Sequence, residues 1–408
     1  MRREMVHPAA LVLLAGVCAA LHVGKLPPAI PVLRDALGVT LLQAGFLLSL
    51  VQLAGMTLGL AVGLGADGIG LRRSMLGGLW VLAGASALGG LARDPAELMV
   101  LRAVEGFGVL LVALPAPGLV RRLVPASRLS SWLGVWGAYM PIGTALALLA
   151  GPALIVAVGW QGWWWGLALV SVVMALAVWR GVPADAPAAG TPSSRSGVDA
   201  PAAQTQSWPQ RLRETLRARG PWLVALTFAM YSGQWLAVIG FLPSLYEQAG
   251  MGVGSIGLLT AIAAAVNIVG NVGAGRLLRR GVPPHRLLNT GFAAMALGAV
   301  LAFALPADQV ALRYGGVLLF SMLGGMIPGT LFSLAVRLAP GPSTVSTTVG
   351  WMQQWSSVGQ FVGPPIVAWL AGRIGGWQWT WAVTGACAVV GALLARQLQR
   401  ALVAKVEP

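Results

Sequence analysis

Gly63-Leu64-Gly65-Ala66-Asp67-Gly68-Ile69-Gly70-Leu71-Arg72-Arg73 is the stretch whose reading decides the fold. It packs a carboxylate, glycines and two arginines into eleven residues between two long apolar runs. Few solvated loops need that combination, but a tight turn joining two membrane helices does. A partial echo follows in the second half of the chain, at Gly273-Ala274-Gly275-Arg276-Leu277-Leu278-Arg279-Arg280. There an arginine stands at or beside the place of Asp67.

Working outward, the chain of 408 residues is 57% hydrophobic and 10% charged, with mean hydropathy +0.77. Soluble domains carry about 25% charged residues. This depletion excludes a soluble multidomain enzyme and points to a polytopic all-α membrane protein. The 55 glycines suit closely packed membrane helices. The net charge of +15 does not indicate nucleic acid, because the arginines form small groups between apolar runs and not one basic stripe. Cys18 and Cys387 fall inside apolar runs with no Cys or His at metal-ligand spacing. They read as buried structural thiols, and no metal or cofactor is expected.

A span needs roughly 20 apolar residues. Candidates lie near Pro8–Leu26, Gln43–Leu64, Ser74–Leu91, Leu98–Leu119, Leu129–Ala150 and Trp163–Trp179. Six more lie near Trp222–Leu245, Ile256–Leu278, Leu287–Leu305, Leu312–Ala335, Val345–Leu370 and Trp379–Leu398. The first run follows Arg2 and Arg3 as in a signal peptide, but its length reads as a first transmembrane helix. Between the sixes, Pro183 to Arg219 is rich in Ala, Pro, Ser and Gly and carries five arginines. The expected organisation is an N-terminal half over 1–180, a linker over 181–220 and a C-terminal half over 221–408. With both termini inside, 21 of the 27 Lys and Arg fall on inner loops and tails. The positive-inside rule then places both termini and the linker in the cytoplasm of a bacterial-type inner membrane. Trp160 to Trp165 and Trp377 to Trp381 read as aromatic belts on the outer face. Paired motifs recur at offsets of 209 to 217 residues, which indicates an internal duplication.

Together these features resemble the major facilitator superfamily, over nearly the whole chain. Gly63, Asp67, Gly70 and Arg72 or Arg73 match its signature between helices two and three, while the usually basic positions are Gly68 and Leu71. Arg102, with Gly106 four residues on, resembles a second signature, with Glu105 as the polar residue between them. Gly143, Ala147 and Gly151-Pro152 resemble the glycine–proline signature of antiporters, but Ile155 and Val156 replace its closing glycines. The stretch Leu111 to Pro125 is similar to cyanate- and nitroimidazole-type permeases. The resemblance implies twelve helices in two pseudo-symmetric halves. It also implies a multi-pass, monomeric, secondary transporter that moves a small organic solute by alternating access. Import and export both stay open, as does a non-transporting membrane sensor.

Candidate residues follow from charge inside the membrane, which is costly and reads as functional. Arg102 and Glu105 share a helix face and are expected to carry proton coupling. Lys25, one turn after His22, either faces the cavity to attract an anion or snorkels to the outer interface. Gln52, Tyr139, Tyr231, Gln234, Trp235, Asn267, Asn271, Gln353, Gln354 and Trp355 are candidates for lining the cavity or bonding between helices. Gly63, Asp67, Gly70, Arg72 and Arg73 are expected to form a latch. In it Asp67 would meet a helix N-terminus and the arginines would pair across the half interface. No phosphate loop, metal box or nucleophile elbow is present, so an enzyme is not expected and transport must be gradient-driven or facilitated. The expected partners are the small-molecule substrate, protons and membrane lipids, with no nucleic acid.

Overall fold

The computed structural model describes residues 7–60, 70–185 and 207–404. Among these, nine helical segments are long and apolar enough to cross a membrane. One of them, Tyr139–Gly181, has 43 residues. At about 1.5 Å per residue it is some 65 Å long, twice the roughly 30 Å hydrocarbon core. Gly159, at φ 75 and ψ 168, breaks it into α5 (139–158) and α6 (160–181). A residue with a Cβ rarely holds such a φ, so glycine sets the corner. Two further helices, α3 (Leu71–Gly89) and α11 (Val345–Ile374), have the length to span but are more polar. Arg72 and Arg73 open the first, and Gln353, Gln354 and Gln360 lie along the second. The remaining spans are α1 (Pro8–Leu37), α2 (Leu41–Leu60), α4 (Pro95–Leu123), α7 (Arg219–Gln248), α8 (Val253–Arg279), α9 (Pro284–Phe303), α10 (Val310–Leu338) and α12 (Thr380–Val403). Among the described residues, twelve helices of spanning length result, in two groups of six.

Local chemistry sets several ends. Thr40 caps α2 in a reciprocal box with Gln43. Asp94 caps α4 by accepting from the Ala96 and Glu97 amides at 2.7 and 2.9 Å. The first span runs past the expected end at Leu26. Pro27 and Pro28 sit in a 3-10 turn over Pro27–Ala29, from which helix resumes. Proline is tolerated there because a helix's first turn needs no amide donor. The expected linker also holds an amphipathic helix, Trp208–Arg217, with Ser207 at its N-cap.

Glycines place the helices, and they do so twice. A Cβ on Gly78 of α3 would meet the Gly108 carbonyl of α4 at 2.7 Å. A Cβ on Gly298 of α9 would meet the Gly316 carbonyl of α10 at 2.5 Å. Backbones this close make dispersion contact, which drives association where both sides are already apolar. The halves also touch each other. At the face opposite the termini, Gly45 of α2 lies on Pro365 of α11, Gly257 of α8 on the Leu149 carbonyl of α5, and Gly240 of α7 on Leu48 of α2. One apolar cluster, including Leu26, Ile30, Leu48, Phe241 and Leu242, is continuous across that face.

The tryptophans after Gly159 are not an interfacial belt. Trp160, Trp163 and Trp164 are buried and only Trp165 is exposed. Trp160 and Trp164 pack edge to face at 5.7 Å, and the Trp163 indole donates to the Lys25 carbonyl at 3.0 Å. Ring packing for Trp160 and Trp164, and an internal hydrogen bond for Trp163, hold these rings inside the bundle.

Candidate functional site

The 3-10 turn in α1 creates the site. Pro27 has no amide hydrogen, so the Val23 carbonyl loses its helical donor. Arg102 of α4 takes that acceptor, with Nη2 to Val23 O at 3.2 Å. Its Nη1 reaches the His22 carbonyl at 2.5 Å, and its Nε reaches the Leu47 carbonyl of α2 at 3.2 Å. One guanidinium thus ties α1, α2 and α4 together.

Glu105 lies one helical turn along from Arg102 and accepts from its Nη1 at 2.7 Å through Oε2. Its other oxygen, Oε1, accepts from Lys25 Nζ in a short contact. Lys25 also donates to Ser86 of α3 at 2.9 Å and lies 4.6 Å from the centre of the Trp164 ring. Ser86 in turn donates to the Trp164 carbonyl at 2.8 Å. Lys25 is 0% exposed, Glu105 1% and Arg102 2%. Lys25 therefore does not snorkel; its ammonium points into the bundle. With His22 neutral, the cluster holds two cations and one anion. Such a charge inside a membrane persists only when paired or when it serves a purpose.

His22 completes the cluster. Its Nε2 lies 2.7 Å from Ser171 Oγ of α6, and its Nδ1 lies 3.8 Å from Glu105 Oε1 with no hydrogen-bond partner. Ser171 donates to the Leu167 carbonyl at 3.0 Å, and Cys18 Sγ lies 3.6 Å from it.

The other candidates lie in separate settings. Tyr231, Asn267 and Trp235 form a neutral network in the second half. Asn267 donates to Tyr231 Oη at 3.0 Å and to the Ser321 carbonyl at 2.8 Å, and the Trp235 indole donates to Ser321 Oγ at 3.2 Å. Gln234 is buried and donates to the Met230 carbonyl of its own helix, leaving Oε1 without a partner. Asn271 packs its amide oxygen against Gly329 of α10. Gln52 and Gln354 join the halves. Gln52 bonds Gln360 at 3.1 Å and Ser357 at 3.3 Å, while Gln354 bonds the Leu60 amide at 3.2 Å and the Met56 carbonyl at 2.9 Å. Tyr139 stacks on Trp136 at 4.2 Å, Trp355 packs against Trp222 and Trp351, and Gln353 is exposed.

At the opening motif, Gly63 and Asp67 lie outside the described residues. Gly70 has φ 96, and a Cβ there would meet Asp185 Oδ2 at 2.5 Å. Asp185, just beyond α6, accepts from the Arg72 and Arg73 amides at 3.1 and 3.0 Å and lies 3.6 Å from Arg122. The Arg72 guanidinium donates to the Trp179 carbonyl. These contacts join α3 and α4 to the end of α6 and the residues just after it, whereas the arginines are expected to reach across to the second half. A carboxylate caps a membrane helix here, but it is one that the motif does not contain. Ser86, Ser171, Asp185, Ser357 and Gln360 had no periodic or motif signal; a lone hydroxyl in an apolar span reads as packing until its partner is placed.

The family model for the Major Facilitator Superfamily matches residues 12–357. The chain belongs to that superfamily of membrane transporters. The chain is 20% identical to the hexuronate transporter of Bacillus subtilis, over 96% of this chain and 94% of that one. An uncharacterised MFS-type transporter of Mycobacterium tuberculosis is 29% identical over 38% of this chain, a match that spans 23% of that relative's own length. The tetracenomycin C resistance and export protein of Streptomyces glaucescens is 32% identical over 23% of this chain and 18% of its own. In fold, a bacterial homolog to the human lysosomal transporter Spinster, in inward-facing and occupied conformation, superposes with TM-score 0.79 at 14% identity over 97% of both chains.

Proposed function

We propose that this protein is a proton-coupled secondary transporter of a small organic anion, working by alternating access. The carrying observation is the sealed cluster in which Lys25 and Arg102 share the single carboxylate of Glu105. A proton on Glu105 removes the one anion that holds both cations. Each is then able to accept the carboxylate of a solute, and departure of the proton restores the closed cluster. Two charge states of one cluster thereby favour two packings of the surrounding helices, which is what coupling requires. The hexuronate relative supports an anionic solute, since a hexuronate carries a carboxylate.

In this reading, both termini and the linker lie in the cytoplasm of a bacterial-type inner membrane, on the strength of the arginine distribution. The helix contacts that join the halves at the opposite face then close the outer side. The halves are 1–180 and 221–408 with a linker over 181–220, and the chain works as a monomer without catalytic chemistry of its own.

The test is uptake of labelled glucuronate and related acids into proteoliposomes under an imposed pH gradient. Glu105→Gln is expected to abolish gradient-driven accumulation while exchange of internal for external solute continues. Driven uptake that survives this change intact overturns coupling through Glu105. Export is the second reading, favoured by the Streptomyces relative. Expression in a drug-sensitive host that raises resistance would select it.

A further inference from the structure

The unpartnered nitrogen of His22 is the least explained atom in the buried cluster. His22 is fully buried, and a buried polar atom without a partner is costly. Its surroundings fix what that atom is. Ser171 gives its one hydrogen to the Leu167 carbonyl, the usual bond from a helical serine to the carbonyl four residues back. The Ser171 oxygen is then left to accept from His22 Nε2 at 2.7 Å or the Cys18 thiol at 3.6 Å, and the shorter contact selects His22. That pairing assigns the ring hydrogen to Nε2 and leaves Nδ1 as the lone pair. That lone pair faces Glu105 Oε1 at 3.8 Å, acceptor against acceptor.

Two acceptors facing each other at 3.8 Å form a site for a proton. Resting on the coupling reading above, we propose that His22 Nδ1 is the relay through which the coupling proton reaches Glu105, with Ser171 as the positioning residue that fixes the tautomer. A hydronium ion reaching the cluster from water gives its proton to Nδ1 and leaves as water, which makes an imidazolium whose new N–H points at Oε1. It then passes to Oε1, leaving Nδ1 bare again. Nε2 keeps its hydrogen on Ser171 throughout, so no ring flip or second proton is needed. As Oε1 takes the proton, Lys25 loses the acceptor that holds it to α4. The charged and titratable groups facing His22 are Lys25 and Cys18 from α1 and Arg102 and Glu105 from α4; α6 presents Ser171 and Trp164, and α3 presents Ser86. Glu105 is the sole acid among them.

Two measurements on the full-length protein test this. The first is nitrogen NMR of histidine-labelled protein, with the His22 signal identified by its loss in His22→Gln. The expected result is a neutral ring protonated at Nε2 that gains its second proton at Nδ1 on acidification. A neutral ring protonated at Nδ1 overturns the proposal, whatever the transport data say. Ser171→Ala should mix the two tautomers and Ser171→Thr should restore one; a tautomer unmoved by Ser171→Ala removes Ser171 from its role. The second is a stopped-flow pH drop from about 8 to about 5.5, read by fluorophores on the terminal-face ends of α4 and α10. A positioned proton relay is worth about 10²-fold or more in rate. His22→Gln, with His22→Asn as a second variant should the first not fold, is therefore expected to slow the opening response by about 10²-fold. A response within twofold of the parent overturns the relay but leaves Glu105 coupling standing. No response in the parent protein overturns the coupling reading and the relay with it.

Discussion

The same helix pair is joined by charge in one half of the molecule and by neutral groups in the other. In the first half, α1 and α4 are joined by Lys25, Glu105 and Arg102. In the second half, α7 is linked to α10 through Asn267 of α8, which bridges Tyr231 and the Ser321 carbonyl, and through the bond from Trp235 to Ser321. The glycine crossings that shape the two halves are alike, as at Gly78 with Gly108 and Gly298 with Gly316. The two halves share this packing and differ in their chemistry. Close backbone approach tolerates few residue types, so both copies keep it. A buried charge is costly to desolvate, and confining the charged cluster to one half limits that cost. The N-termini of α3 and α9 differ in the same sense. Asp185 caps α3 through two amides, whereas α9 begins at Pro284 with no side-chain cap.

The largest expected effect attacks the charge balance. Glu105→Gln leaves two buried cations without an anion and should cost about 3–5 kcal/mol of stability. Lys25→Met keeps Arg102 as the partner of Glu105 but leaves Oε1 without its donor, and should cost about 1–3 kcal/mol. Thermal unfolding of the purified variants checks the order, and equal costs would show that charge balance is not what holds α1 to α4. Next come Gly78→Ala and Gly298→Ala, each expected to cost about 1–3 kcal/mol through overpacking. Similar losses sharpen the likeness of the halves, while a large cost in one alone breaks it. Asp185→Ala should cost about 0.5–2 kcal/mol as a lost helix cap. It should raise hydrogen exchange at the Arg72 and Arg73 amides and leave the start of α9 unaffected. The smallest effect belongs to the neutral network. Asn267→Ala should cost about 0.6 kcal/mol, the usual worth of a hydrogen bond between membrane helices. A cost rivalling that of Glu105→Gln would mean that the two networks carry comparable weight.

Much of this was legible in the residues alone. Span count, duplication and family came from apolar run length, motif offsets and the Gly63 to Arg73 stretch. The pairing of Arg102 with Glu105 followed from their i, i+3 spacing. Lys25 was visible as an anomaly with two open readings. Its partner was not, because Glu105 is 80 residues away in the chain and no local period connects them. The start of α6 at Trp160 and the helix Trp208–Arg217 were hidden by tryptophans that mimic an interfacial belt and by a polar composition that mimics a linker.

By itself the sequence determined what depends on neighbours along the chain: how many helices cross the membrane, where glycine and proline interrupt them, and which charges share a face. Only the tertiary structure decided what depends on neighbours across the bundle. It decided that the carbonyl released by Pro27 is taken by Arg102, that Lys25 turns inward to Glu105, that Ser171 orients His22, and that Asp185 caps the helix after the signature motif. Helical periodicity is written within a few residues, whereas a hydrogen bond between helices is set by the packing of segments that the sequence keeps far apart.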